Sequence, residues 1–133
     1  MEKAHKKLDI LLVDDTPMIL KMVEAWLKMH HGVTTATNAR EALEVLAKKS
    51  FDLMITDMHM PDPHSGDGTG ISGLELILTV RHLNHHVDVI WLASAEMTEH
   101  MAATAARVGA HKAIKKEEVL NHLRQDGILP KVW

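Results

Sequence analysis

The sequence has no cysteine, no apolar stretch of membrane-spanning length and no excess of basic residues. The missing cysteine excludes disulfide bonds and thiolate metal sites. A bilayer-crossing helix needs roughly 20 apolar residues, and no run in this chain reaches that length. The formal net charge of -3 argues against a nucleic-acid partner. Residues 1–7 are charged and lack the apolar core of a signal peptide, so we expect a cytoplasmic protein without a membrane partner.

Short apolar runs alternate with segments of helical periodicity along the whole chain. The β-rich runs lie near residues 9–13, 33–37, 51–56, 87–93 and 112–115. Strands separated by helices need crossover connections, which build a parallel sheet covered on both faces. We therefore expect an α/β fold, a doubly wound, flavodoxin-like, five-stranded parallel sheet of order 2-1-3-4-5 with five helices. The order rests partly on analogy, because spacing alone does not fix it.

Capping residues predict where the helices begin and end. Thr16 and Pro17 favour the start of a first helix, and Gly32 favours its end. Asn38 is a second N-cap, and Gly109 follows the fourth helix. The apolar residues of the first helix fall on one broad face: Ile19, Met22, Val23, Trp26 and Leu27. The last three helices are predicted over residues 71–80, about 97–107 and about 117–125.

Carboxylates end two of the predicted strands. Asp14 and Asp15 follow the first strand, and Asp57 closes the third. Ligands of such sheets bind beyond the carboxyl ends of the strands, where these three side chains are expected to converge. Carboxylates this close resist joint ionisation, and a hard divalent cation with oxygen ligands relieves the repulsion. The sequence therefore predicts a Mg²⁺ site and chemistry on phosphate.

Four short motifs follow one another along the chain. They are the acidic pair, Asp57 with Met60-Pro61, Ser94-Ala95 after the fourth strand, and Lys116 after Gly109-Ala110. With these spacings the chain resembles the receiver domain of bacterial two-component response regulators, in particular the chemotaxis-type single-domain regulators. The resemblance runs from about Leu8 to about Leu123. We expect a single receiver domain over residues 1–133, with a core of about 8–125 and no output domain.

The resemblance implies a role for each of these residues. Asp57 would accept a phosphoryl group from a histidine kinase or a histidine phosphotransfer protein. Mg²⁺ would be bound by Asp14, Asp15, Asp57 and the backbone carbonyl of His59. The phosphorylated domain would then signal through a downstream protein. It would not be an enzyme beyond slow self-dephosphorylation.

The remaining implied roles concern the phosphoryl group itself. The Ser94 hydroxyl would donate a hydrogen bond to it, and the Lys116 ammonium would pair with it. The side chains of His59 and Glu96, at variable positions beside the site, would modulate how long it survives. The sequence does not give the direction of that effect.

Plainer interpretations remain open for these residues. The acidic pair also suits a solvated turn before a helix, and Asp57 alone can be an ordinary strand-end carboxylate. Alanines on both sides leave the register of Ser94 ambiguous by one residue. Lys115 competes with Lys116, although counting from Gly109-Ala110 favours Lys116. Eleven histidines raise a zinc or nickel site as a minor hypothesis, because no spacing among them is diagnostic.

Three features depart from the family. The loop over residues 61–72 is longer than usual, and a gate or a tolerated insertion explains it equally well. Ala113 stands where receivers carry an aromatic residue, and Glu117 where they carry a proline, which leaves a cis or trans bond after Lys116 open. The missing aromatic and proline favour the alternative of a degenerate receiver that is a phosphorylation-independent interaction module, whereas the intact carboxylates and lysine argue against it. An aspartyl phosphatase is less favoured, because His59 occupies the position of its second aspartate.

Overall fold

The computed structural model describes residues 7–14, 18–59 and 72–130. Its strands are β1 Asp9–Val13, β2 Gly32–Ala36, β3 Phe51–Asp57, β4 Val87–Ser94 and β5 Lys112–Lys115. Its helices are α1 Met18–Lys28, α2 Ala39–Leu46, α3 Gly73–His82, α4 Glu99–Val108 and α5 Val119–Gln125. A short 3-10 helix, Lys116–Glu118, leads into α5. None of the helices in these ranges is long and apolar enough to cross a bilayer.

The five strands form one parallel sheet of order β2-β1-β3-β4-β5, which confirms the predicted fold. Successive residues of a strand point to opposite faces, so the apolar runs fill two cores. On one face Leu11, Val13 and Met54 pack with buried residues of α2, α3 and α4. On the other face Ile10 and Leu12 pack with buried residues of α1 and α5.

Side-chain caps start three of the helices. Asn38 Oδ1 accepts a hydrogen bond from the Glu41 N–H at 2.9 Å, as predicted. Ser72 and Thr98 cap α3 and α4 in the same way. Gly109 ends α4 with a φ of 117°, a left-handed conformation that glycine adopts without strain. The caps set where each helix begins and ends. The helices then return the chain to the edge of the sheet at which the next parallel strand begins.

Two predictions about α1 were wrong. The helix ends at Lys28, and Gly32 begins β2 because its N–H already donates to the Leu8 carbonyl at 2.9 Å. Met22 is 56% exposed, because among the described side chains of residues 21–28 the buried positions are Val23 and Leu27, and Met22 lies off that stripe. Thr16 and Pro17, the predicted start of the helix, lie outside the described residues.

Candidate functional site

Asp14 and Asp57 lie side by side where β1 and β3 end. Val13 pairs with Thr56 across the two strands, so the next residue of each strand reaches the same level. Each aspartate is only 4% exposed. The N–H of Asp14 donates to the Ala36 carbonyl at 3.0 Å, which fixes this turn against β2. Neighbouring strands therefore deliver two carboxylates to one buried position. Asp15 lies outside the described residues.

Lys116 joins these two carboxylates. Its Nζ lies 3.0 Å from Asp14 Oδ2 and 3.1 Å from Asp57 Oδ2, and its side chain is 16% exposed. The residue follows β5 directly, whereas the neighbouring Lys115 is exposed. A single ammonium thus balances two buried carboxylates and leaves the cluster with a net negative charge.

The charges of the cluster shift the pKa values of its members. Burial and the charge of Asp14 raise the pKa of Asp57, although Lys116 and the Met58 backbone act in the opposite direction. Burial alone would lower the pKa of Lys116, but hydrogen bonding to Asp14 and the charge of Asp57 raise it. Lys116 therefore stays protonated, while ionised Asp57 is left short of compensating positive charge.

Ser94 ends the neighbouring strand β4. Asp57 pairs with Ala93, so Ser94 lies one residue further toward the carboxyl end of the sheet. Ser94 is buried, at 4% exposed. The structure thus places a hydroxyl-bearing residue beside the cluster. The role of that hydroxyl toward a phosphoryl group remains a prediction.

The side chains of His59 and Glu96 are exposed beside the site. His59 follows Asp57 by two positions in chain order, and Glu96 follows Ser94 by two. Both residues thus belong to the segments that leave the carboxyl ends of β3 and β4, and their role toward a phosphoryl group stays a prediction. Met60, Pro61 and most of the long loop, residues 60–71, lie outside the described residues.

Ala113 and Glu117, which replace the aromatic residue and the proline of typical receivers, both lie within the described residues. Ala113 pairs with Leu92 and is a half-buried residue packed against the core beneath α3 and α4. The peptide bond between Lys116 and Glu117 is trans, since no residue in the described ranges follows a cis bond. The chain enters the 3-10 helix at Lys116 without the usual proline.

The donor set fits a hard divalent cation. Two buried carboxylates with one ammonium retain negative charge, and Mg²⁺ prefers carboxylate and carbonyl oxygens. Within the described ranges no three histidine, aspartate or glutamate side chains are grouped so that they could hold a metal ion. The third carboxylate predicted for the site, that of Asp15, is outside those ranges.

Sequence reasoning missed two residues beside Asp57. Thr56 Oγ1 donates a hydrogen bond to the Asp57 carbonyl at 3.1 Å. Gly73 packs so closely that a Cβ added to it would overlap the same carbonyl oxygen. The only signal in the sequence is a glycine directly after the Ser72 N-cap, a position where many residues are tolerated. The contact itself is tertiary and leaves no local pattern.

Comparison with known proteins identifies the family. The response regulator receiver domain matches residues 10–126. The chain is 33% identical over 116 residues to the response regulator protein PilR of Pseudomonas aeruginosa, covering 86% of this chain and 24% of PilR. It is 28% identical over 125 residues to the probable C4-dicarboxylate response regulator DctR of Bacillus subtilis, covering 92% of this chain and 51% of DctR. The chain therefore spans about a quarter of PilR and about half of DctR.

Solved structures agree with this assignment. The chemotaxis protein CheY4 of Vibrio cholerae superposes with a TM-score of 0.74 at 27% identity, covering 90% of this chain and 98% of CheY4. A co-crystal structure of the Saccharomyces cerevisiae phosphotransfer protein Ypd1 with the receiver domain of Ssk1 gives a TM-score of 0.77 at 18% identity, covering 93% of this chain and 88% of that one. The chain belongs to the receiver domain family of two-component response regulators.

Proposed function

We propose that Asp57 is the phosphoacceptor of this receiver domain. The observation that supports this most is the Lys116 ammonium within 3.1 Å of two buried carboxylates at the carboxyl end of the sheet. A buried carboxylate with a raised pKa and a specific charged partner is typical of functional sites. The donor would be a histidine kinase or phosphotransfer protein, as the name of the Ypd1–Ssk1 complex suggests for that relative.

The transfer would move a phosphoryl group from a phosphohistidine to Asp57. A carboxylate oxygen of Asp57 forms the new P–O bond, the P–N bond breaks, and the histidine of the donor leaves with that electron pair. Such reactions need positioning and charge neutralisation more than covalent chemistry. Lys116 would offset charge on the transferred oxygens, and Ser94 would donate a hydrogen bond to them.

Mg²⁺ would be held by Asp14, Asp57 and the His59 carbonyl, together with Asp15. When bound it supplies positive charge beside the phosphoryl oxygens. Without it the carboxylates of Asp14 and Asp57 repel each other, which disfavours the ionised form of Asp57. The same repulsion favours the binding of a cation between them. Hydrolysis of the aspartyl phosphate by water would then reset the domain.

The signal would leave through protein contacts of the α4-β5-α5 face. Phosphorylation adds charge at Asp57 and biases the populations of two conformations of that face. Ala113 has no rotamer to change, so the route we propose runs through the backbone between β4 and α4. Because the chain belongs to the receiver family, we also place the phosphoryl transfer and the contacts that follow it in the cytoplasm.

Intact mass spectrometry after incubation with a small phosphodonor and Mg²⁺ tests the proposal. The wild-type protein should gain one phosphoryl group, and Asp57→Asn should gain none. Asp52→Asn is the matched control, because Asp52 lies on the same strand and accepts from the Asp9 N–H at 2.8 Å, away from the site. It should gain the group like the wild type.

Two other outcomes would replace this function. No mass gain in the wild type, with or without Mg²⁺, would favour a degenerate receiver that binds partners without phosphorylation. Sustained turnover of a phosphoester substrate would indicate a phosphatase rather than a phosphoacceptor. A chelator should abolish the wild-type mass gain if the carboxylates act through a bound cation.

A further inference from the structure

Gly73 closes the chain segment that follows the phosphoacceptor. Its N–H donates to the Met58 carbonyl at 2.8 Å, so the chain returns at Gly73 to the residue directly after Asp57. Met58 and Gly73, which precede and follow the long loop in the chain, are therefore joined by a backbone hydrogen bond. The Met58 carbonyl belongs to the peptide group between Met58 and His59, so this bond fixes the peptide that leads from the phosphoacceptor segment to the proposed carbonyl ligand.

Space, rather than backbone conformation, requires glycine at position 73. Gly73 is not among the positive-φ glycines, so another residue would not be strained by its backbone angles. A Cβ at this position would overlap the Asp57 carbonyl oxygen and would lie 2.9 Å from Leu92 Cδ1. Neither neighbour can yield easily, because one is backbone and the other belongs to the fully buried core.

Thr56 holds the same carbonyl from another direction. Its side chain is fully buried, and its Oγ1 donates to the Asp57 carbonyl at 3.1 Å. The Asp57 carbonyl thus lies between a hydroxyl donor and the first residue of α3. A carbonyl restrained on two sides cannot rotate freely, so the peptide plane after Asp57 has a fixed direction.

We propose that Gly73 and Thr56 are positioning residues for the phosphoacceptor segment. They orient the backbone from Asp57 to His59, and with it the Asp57 carboxylate and the His59 carbonyl. The inference rests on the proposed function of Asp57. Productive sites hold their groups within about 0.5 Å, and a displacement of about 1 Å can cost a hundredfold in rate. A rigid backbone here would supply that precision.

Four variants test the proposal, each measured by Mg²⁺ titration calorimetry and by the rate of phosphorylation at saturating Mg²⁺. Gly73→Ala and Thr56→Val should each weaken Mg²⁺ binding and slow phosphorylation by at least about tenfold, within the range expected for misplaced groups. Thr56→Ser keeps the hydroxyl and should restore both values toward the wild type. Ser72→Ala removes the N-cap of α3 without touching the Asp57 carbonyl, so it should lower the melting temperature and leave both values unchanged.

The comparison of these variants separates positioning from stability. Folded Gly73→Ala and Thr56→Val proteins with wild-type Mg²⁺ affinity and rate would overturn the proposal, as would Ser72→Ala with the same losses. If Gly73→Ala does not fold, the contrast between Thr56→Val and Thr56→Ser decides. If the wild type takes up no phosphoryl group, the proposed function fails, and Mg²⁺ affinity across the same variants still decides this inference.

Discussion

The two ends of the sheet, where its strands begin and where they finish, pair their buried polar groups differently. At the amino end His31, 5% exposed, bonds to backbone on both sides. Its Nδ1 accepts from the Leu8 N–H at 2.9 Å, and its Nε2 lies 2.7 Å from the Ile128 carbonyl. At the carboxyl end two buried carboxylates share the ammonium of Lys116.

The difference separates stability from function. The neutral His31 ring, protonated on Nε2, matches one donor and one acceptor, so no charge is buried there. At the carboxyl end the charges do not cancel, and the pKa of Asp57 is raised by burial and by Asp14. Strain of this kind is expected where a ligand or a modification later supplies the missing charge. If Asp57 acts as proposed, the polar groups at the amino end contribute to stability, whereas those at the carboxyl end serve the reaction.

The largest effect is expected from Lys116→Met. Removing the ammonium leaves two buried carboxylates uncompensated, which should cost about 3 kcal/mol of unfolding free energy. Urea denaturation in the presence of a chelator measures this loss. Saturating Mg²⁺ should recover part of it, because a cation that binds only the folded state stabilises that state.

Lys112→Met is the matched control for that loss. Lys112 lies at the start of β5, paired with Asp126 at 3.1 Å, and both side chains are partly exposed. Such pairs contribute at most about 1 kcal/mol. The Lys112 ammonium also lies 5.0 Å from the centroid of the Trp91 ring, a contact that methionine loses at a cost of about 1 kcal/mol. Equal losses from Lys116→Met and Lys112→Met would remove the distinction between the two ends.

The next effect is expected from His31→Leu at the amino end. Leucine fills the space but leaves the Leu8 N–H and the Ile128 carbonyl without their partner, at a cost of about 2 kcal/mol. Mg²⁺ affinity should not change. The neighbouring His30 is exposed, so His30→Leu should alter stability by less than about 0.5 kcal/mol. A loss of Mg²⁺ binding in His31→Leu would show that the two ends are coupled.

A smaller effect of opposite sign is expected from Asp57→Asn. The pKa of Asp57 is raised above its ordinary value of 3.8, so the folded protein holds this proton more tightly than the unfolded chain. Its contribution to stability is therefore complete below pH 3.8 and is lost as the pH rises through the folded pKa. Asparagine removes that loss, so the variant should be more stable than the wild type at neutral pH.

Urea denaturation without Mg²⁺ measures this gain as a function of pH. The stability advantage of Asp57→Asn should disappear below pH 3.8, where Asp57 of the wild type is protonated in both the folded and the unfolded state. Asp52→Asn retains an oxygen that can accept from the Asp9 N–H, so it should change stability little at any pH. An Asp57→Asn protein less stable than the wild type at neutral pH would contradict the idea of a strained carboxyl end.

The sequence predicted the carboxyl end better than the amino end. Asp14 and Asp57 follow apolar strands, so periodicity predicted them at the carboxyl edge of a parallel sheet, while their adjacency there followed from a strand order drawn partly by analogy. Counting from Gly109 favoured Lys116 over Lys115. The partners of His31 are backbone atoms 23 and 97 residues away, which no local pattern records. Gly32 misled for a related reason, because its strand pairing outweighed its tendency to end a helix.

The smallest effect on stability is expected at His59 and Glu96, whose side chains are exposed beside the site. His59→Ala and Glu96→Ala should change the free energy of unfolding by less than about 0.5 kcal/mol. Each should nevertheless change the half-life of the aspartyl phosphate by about tenfold, or about 1.4 kcal/mol of activation free energy. Glu99→Ala, an exposed acidic control in α4, should change neither quantity. If the aspartyl phosphate has the wild-type half-life in both His59→Ala and Glu96→Ala, its lifetime is set by the buried cluster of Asp14, Asp57 and Lys116 and not by these exposed side chains.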